Sequence, residues 1–181
     1  MTQWISIAGR KRHDGIDFYS TPEWCVRKLL EHQDFEWPIL EPCSGSGAIS
    51  KVLEEKYTVV SQDIRTDPSV YGERWVDFFA HTGKYPTIVT NPPYFCAKDF
   101  ILHALEIAET VCVLLKLQFL ESVDRYDFFQ NTPLSHIYVL SKRPTMYPDW
   151  EPEPKNGWTI AYAWYIWKQG YAGEPVIKWI K

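Results

Sequence analysis

The sequence predicts an α/β fold: a mostly parallel sheet with helices on both faces, ending in an antiparallel hairpin. Three observations carry this. Strand-length apolar segments alternate with segments of helical period along most of the chain. Residues 38–55 read as a strand, a glycine turn and a helix in direct succession. Residues 111–117 form an apolar run suited to a central strand buried on both faces. A length of 181 residues, with 45% hydrophobic and 23% charged residues, fits one packed domain rather than two, or a disordered chain.

The elements follow in order. Thr21-Pro22-Glu23 reads as a helix start, with Thr21 as cap and Pro22 in the first turn, and Trp24, Val26, Leu29 and Leu30 continue the helical spacing to about His32. A short strand at 38–40 leads into Glu41-Pro42-Cys43-Ser44-Gly45-Ser46-Gly47 and a helix at 48–55. Residues 57–61 are β-branched and aromatic and close on Asp63, while 75–79 form a shorter apolar patch containing Asp77. The strand at 87–90 runs into Asn91-Pro92-Pro93-Tyr94, whose prolines end it. Phe100, Ile101, Ala104, Leu105 and Ala108 mark a helix at 98–109, ahead of the apolar run. A short helix at 125–130 precedes strands at 136–140 and 159–167, with no helix between them, which predicts the hairpin. Its connection, 141–158, is rich in proline and charge and is the longest loop.

A net charge of −4 argues against binding nucleic acid by bulk electrostatics, but not against an enzyme that visits a polymer. Arg10, Lys11, Arg12 and His13 give residues 1–16 the character of a flexible basic arm. The four cysteines, Cys25, Cys43, Cys96 and Cys112, have no metal-ligand or disulfide-framework spacing, so no metal is expected. With no signal-peptide core and no membrane-length apolar run, a cytoplasmic location is expected.

The glycine turn lets a nucleotide-like ligand approach the backbone, and Asp63, at the end of the next strand, is placed for ribose hydroxyls. Gly45-x-Gly47 alone is a weak signal. Asn91-Pro92-Pro93-Tyr94 is far more specific, because it follows a parallel strand and so lies at the carboxyl edge where open α/β sheets bind ligands.

At these residues the chain resembles the S-adenosylmethionine-dependent amino-methyltransferases, most closely the small phage-type DNA N6-adenine methyltransferases. Residues 17–22 resemble the family's N-terminal cofactor motif, 41–47 its glycine loop, Asp63 and Asp77-Phe78 its ribose and adenine contacts, and 91–94 its catalytic loop. Residues 117–121 and 161–164 resemble the phage group with less specificity. The resemblance implies a Rossmann-like class I fold with seven strands and S-adenosylmethionine as cofactor, released as S-adenosylhomocysteine. It implies cofactor contacts from Tyr19, Thr21, Pro22, Glu41, Pro42, Gly45, Gly47, Asp63, Ile64, Asp77, Phe78 and Asn91, and catalysis by Asn91, Pro92, Pro93 and Tyr94. Glu41 would contact the cofactor's ammonium or support the loop. The implied substrate is adenine in DNA, flipped out of the duplex, and no separate target-recognition domain fits in the chain.

The residue types suit the chemistry independently of the family. An adenine amino group is a poor nucleophile because its lone pair is delocalised into the ring. Two acceptors, the Asn91 side-chain oxygen and the Pro92 carbonyl, can hold its N–H groups and aim the lone pair at an incoming methyl. Tyr94 would stack on the base. Cys43 invites a cytosine-C5 reading, but the attacking thiol should stand where Asn91 stands. A dehydrogenase would need a third glycine where Ser50 lies, and would leave the Asn-Pro-Pro-Tyr unexplained. RNA adenine methyltransferases and protein glutamine methyltransferases share the catalytic loop and remain open, as does a non-catalytic binder of the cofactor.

Overall fold

The computed structural model describes residues 19–146 and 160–181, so the basic arm at 1–16, Asp17, Phe18 and most of the 141–158 connection lie outside the described residues. The elements are α1 (Glu23–Leu30), β1 (Ile39–Glu41), α2 (Ser50–Leu53), β2 (Val59–Asp63), β3 (Glu73–Arg74), β4 (Tyr85–Thr90), α3 (Ala97–Ile107), β5 (Ala108–Lys116), α4 (Val123–Gln130), β6 (Leu134–Leu140), β7 (Tyr162–Lys168) and β8 (Val176–Ile180). Short 3₁₀ turns occupy Phe78–Ala80, Tyr94–Cys96 and Leu117–Leu120.

The strands form one sheet in the order β3-β2-β1-β4-β5-β7-β6-β8. Every neighbouring pair is parallel except those made by β7, which runs antiparallel to both β5 and β6. This is the Rossmann-like class I methyltransferase fold, with one difference from expectation: the sheet has eight strands, not seven. The additional strand, β8, pairs in parallel with β6 beyond the hairpin. Four of its five residues are exposed, and its sequence, Val176-Ile177-Lys178-Trp179-Ile180, is a short apolar run and not the alternation that marks a half-buried strand. The patch at 75–79 is not a strand; β3 is the two residues before it, and Phe78 begins a 3₁₀ turn.

Period-two alternation divides the core between the two faces of the sheet. Cys112 and Leu114 of β5 and Trp164 and Ile166 of β7 face α1 and α2, packing on Cys25, Val26, Leu29, Val52 and Leu53. Their neighbours Val111, Val113, Leu115, Ala163, Tyr165 and Trp167 face the other way, against Phe100, Ile101 and Ala104 of α3 and Phe128 of α4. Because β5 and β7 are buried on both faces they read as unbroken apolar runs. Trp164, fully buried, donates from Nε1 to the Cys25 carbonyl at 3.0 Å, which pins α1 to the sheet. No helix among the described residues is long and apolar enough to cross a membrane.

The α1 start corrects one expectation. The cap position is Pro22, with no side-chain hydrogen bond to the helix, and Thr21 is not the cap. Its hydroxyl is directed elsewhere, into the site described below.

Trp164→Phe removes the indole hydrogen bond to the Cys25 carbonyl and opens space beside it, and is expected to cost about 1–2 kcal/mol in denaturant unfolding with an unchanged m-value.

Candidate active site

The parallel strands β1, β2 and β4 deliver Glu41, Asp63 and Asn91 to one carboxyl edge, and β5 adds Lys116 beside them. The loop after β1 is held by its neighbours. Asp63, 5% exposed, accepts from the Gly45 N–H at 2.8 Å through Oδ2 and from the Arg65 N–H at 2.8 Å through Oδ1. Asp63 therefore shapes the glycine loop, a use the sequence did not reveal, and each oxygen keeps a further lone pair for a ligand hydroxyl. Ser44 donates from its hydroxyl to the Tyr71 carbonyl at 2.7 Å. Gly47 has φ of +85°, and a Cβ there would lie 2.6 Å from the Tyr71 ring, so both backbone and space demand glycine.

Glu41 lies beneath this loop, 1% exposed. Ser50 donates to its Oε2, and the Ser50 and Ser61 hydroxyls meet at 2.6 Å. Burial pushes the Glu41 carboxyl well above the usual carboxylate range, against the opposing effect of the Ser50 hydrogen bond. The Ser50 contact joins the end of β1 to the start of α2. Ser50, noted only for interrupting a dinucleotide motif, is the partner of Glu41 on α2. Burial likewise pushes the half-exposed residue Cys43's thiol well above its ordinary range, so it is no thiolate nucleophile.

Asn91 follows β4 directly. Its Nδ2 donates to the Tyr19 carbonyl at 3.3 Å and to Thr21 Oγ1 at 3.2 Å. A backbone carbonyl can only accept, so the amide nitrogen must face Tyr19, and the oxygen points the opposite way. That oxygen, Oδ1, is buried and has no hydrogen-bond partner in the protein. Pro92 is buried, and the Pro93 carbonyl is engaged by the Cys96 N–H at 3.4 Å. Tyr94 is half-buried, its ring 6.1 Å from that of Tyr162, with Lys116 Nζ 4.8 Å from its centroid. Sequence reasoning missed Lys116; the available signal was that it is the one charged residue in the apolar run at 111–117.

Ile64 and Pro22 are half-buried, and Pro42 is buried in the glycine loop. Asp77 is exposed and caps the 3₁₀ turn, accepting from the Phe79 N–H at 3.0 Å. Phe78 is 5% exposed and stacked on Phe100 with centroids 4.1 Å apart, so one ring face belongs to the core under α3. Among the described residues, no group of three or more His, Cys, Asp or Glu side chains is arranged to hold a metal ion.

No protein-family model and no curated protein matches the sequence. Solved structures match in fold. A Pyrococcus horikoshii protein assigned as an RNA methyltransferase superposes with a TM-score of 0.60 at 13% identity, over 83% of this chain and 85% of its own. The 23S rRNA methyltransferase ErmE gives 0.53 at 18% identity, over 84% and 70%. The modification subunit assigned to a type I restriction enzyme from Vibrio vulnificus gives 0.59 at 13% identity, over 90% of this chain but 47% of that one. Identities this low establish a shared fold, and the site must be argued from its own residues.

A carboxyl whose pKa is higher in the folded than in the unfolded state binds its proton more tightly when folded. The stability it contributes is present below the unfolded carboxyl range and declines as pH rises through the window above it. Thermal unfolding between about pH 5 and about pH 8 should therefore show a decline in the native protein that Glu41→Gln, which keeps an acceptor for Ser50, reduces.

Proposed function

We propose that this chain transfers a methyl group from S-adenosylmethionine to the exocyclic amino nitrogen of adenine in a nucleic acid, releasing S-adenosylhomocysteine. The observation that carries the reading is the Asn91 amide: its nitrogen is committed to Tyr19 and Thr21, and its buried Oδ1 is unpartnered. A buried acceptor without a donor costs about 1–3 kcal/mol, so its persistence beside a ligand-binding sheet edge favours a donor that arrives with the substrate.

The glycine loop and strand ends fit the cofactor. Gly45 and Gly47 allow close backbone approach, Asp63 retains acceptor capacity for ribose hydroxyls, and Ile64, Asp77 and Phe78 would border the adenine. Tyr19, Thr21, Pro22 and Pro42 would enclose the methionine portion, with Glu41 supporting the loop from below. When bound, S-adenosylmethionine supplies an electrophilic methyl on a sulfonium. The chain's own residues do the rest. Asn91 Oδ1 and the Pro92 carbonyl accept the two amino N–H groups, favouring a tetrahedral nitrogen with its lone pair aimed away from both acceptors. Pro93 stiffens the loop, and Tyr94 stacks on the base. Lys116 now covers Tyr94's ring and would shift toward a phosphate oxygen as the base enters.

Of the polymers, RNA is favoured over the DNA that the motif resemblance implies. Two of the solved structures sharing the fold are named as RNA methyltransferases, against one modification subunit of a restriction enzyme. The net charge of −4 also suits brief visits to splayed single strands better than long contact with duplex phosphates.

Labelled methyl transfer to RNA, DNA and protein pools, followed by nucleoside and amino-acid analysis, tests the reading. Label in N6-methyladenosine supports it, label in N6-methyladenine of DNA retains the chemistry with the other polymer, and label only in protein glutamine overturns the nucleobase substrate. Asn91→Ala should lower kcat by about 10²–10³-fold while S-adenosylhomocysteine binding changes little. Thr21→Val should lower kcat by about tenfold and Thr21→Ser should restore it, because the Thr21 hydroxyl orients the amide.

A further inference from the structure

Phe95, the residue after Tyr94, is 84% exposed, while Tyr94 and Cys96 on either side are half-buried. Its position is set by a short 3₁₀ turn that is anchored by the Pro93 carbonyl and runs directly into α3. At the start of α3, Lys98 donates from Nζ to the Asp124 carbonyl at 3.4 Å, which joins the first turn of α3 to that of α4. Val123 and Tyr126, on either side of Asp124, are 91% and 64% exposed. Phe95, Val123 and Tyr126 are thus three uncovered apolar side chains on the two segments that the Lys98–Asp124 contact joins. A single exposed phenylalanine is ordinary; one following the proposed base-holding tyrosine, in such a group, is placed for a partner.

Chain geometry restricts that partner. Consecutive Cα atoms lie 3.8 Å apart. Phe95 follows Tyr94 directly, so a strand whose target base stacks on Tyr94 can bring an adjacent nucleotide within reach of Phe95. The acidic balance of the protein limits what phosphate contacts can contribute, and base stacking on aromatic rings is the sequence-tolerant alternative. We infer that Phe95 is the stacking platform for the base that flanks the target adenine in an RNA strand, with Tyr126 extending the platform. The inference rests on adenine methyl transfer as the reaction at Asn91.

The test uses the full chain with a mixed-sequence pool of in vitro transcripts. Initial rates of N6-methyladenosine formation are measured against RNA concentration for the native protein, Phe95→Ala, Phe95→Leu and Phe95→Trp, at two salt concentrations. Calorimetric binding of S-adenosylhomocysteine and the Tm are measured alongside. The expected result is a KM raised about tenfold by Phe95→Ala, with kcat within about twofold. Phe95→Trp restores the KM, Phe95→Leu does not, and the native KM varies little with salt. Equal KM for the native protein and Phe95→Ala overturns the inference, and so does a changed Tm or S-adenosylhomocysteine affinity, which marks a structural role. Native-protein transfer to a DNA pool but not to RNA overturns the RNA commitment. Transfer to no nucleic acid overturns the underlying reading, and is seen in the native protein before any variant is considered.

Discussion

A carboxamide confronted with a carbonyl can present only its nitrogen, and this one fact orients the site. Asn91 is held by Tyr19 and Thr21, residues 72 and 70 positions away in sequence. The constraint holds only if the segment before α1 stays in place over the end of β4. That in turn depends on α1, which the Trp164 indole pins through the Cys25 carbonyl. A buried hydrogen bond on β7 is thereby linked to the direction in which the Asn91 side-chain oxygen points.

The glycine loop is built on buried polar groups with assigned partners. Asp63 uses both oxygens on backbone N–H groups, and the chain of Ser61, Ser50 and Glu41 lies beneath. Burying a carboxyl is costly unless it is hydrogen-bonded or protonated, and the raised Glu41 pKa reflects that cost. The network also fixes where the backbone can be approached, because Gly47 has Tyr71 against it and no room for a side chain.

Charge and aromatic content pull in different directions. The protein is acidic overall, yet nine Trp, eleven Tyr and nine Phe give it many ring faces. Among the described residues, nine of these rings are buried in the core: Tyr165 and Trp167 stack on one face of β7, and Phe78 lies on Phe100. The few that remain open near the catalytic loop differ from the rest in exposure, not in type. Composition could not separate them.

The sequence by itself determined the α/β class, the placement of Asn91 after a parallel strand and of the glycine loop after β1, and the antiparallel hairpin. These are local properties, written in hydrophobic period and in the backbone limits of glycine and proline. Tertiary structure alone decided that Thr21 serves Asn91 instead of capping α1, that Asp63, expected to face ribose hydroxyls, also holds the glycine loop, and that Lys116 sits over Tyr94. Each depends on residues distant in the chain meeting at one sheet edge, and no local pattern encodes such a meeting. The eighth strand is also a tertiary outcome: β8 is a five-residue apolar run fixed by its backbone pairing with β6, and a run so short has no amphipathic period to mark it.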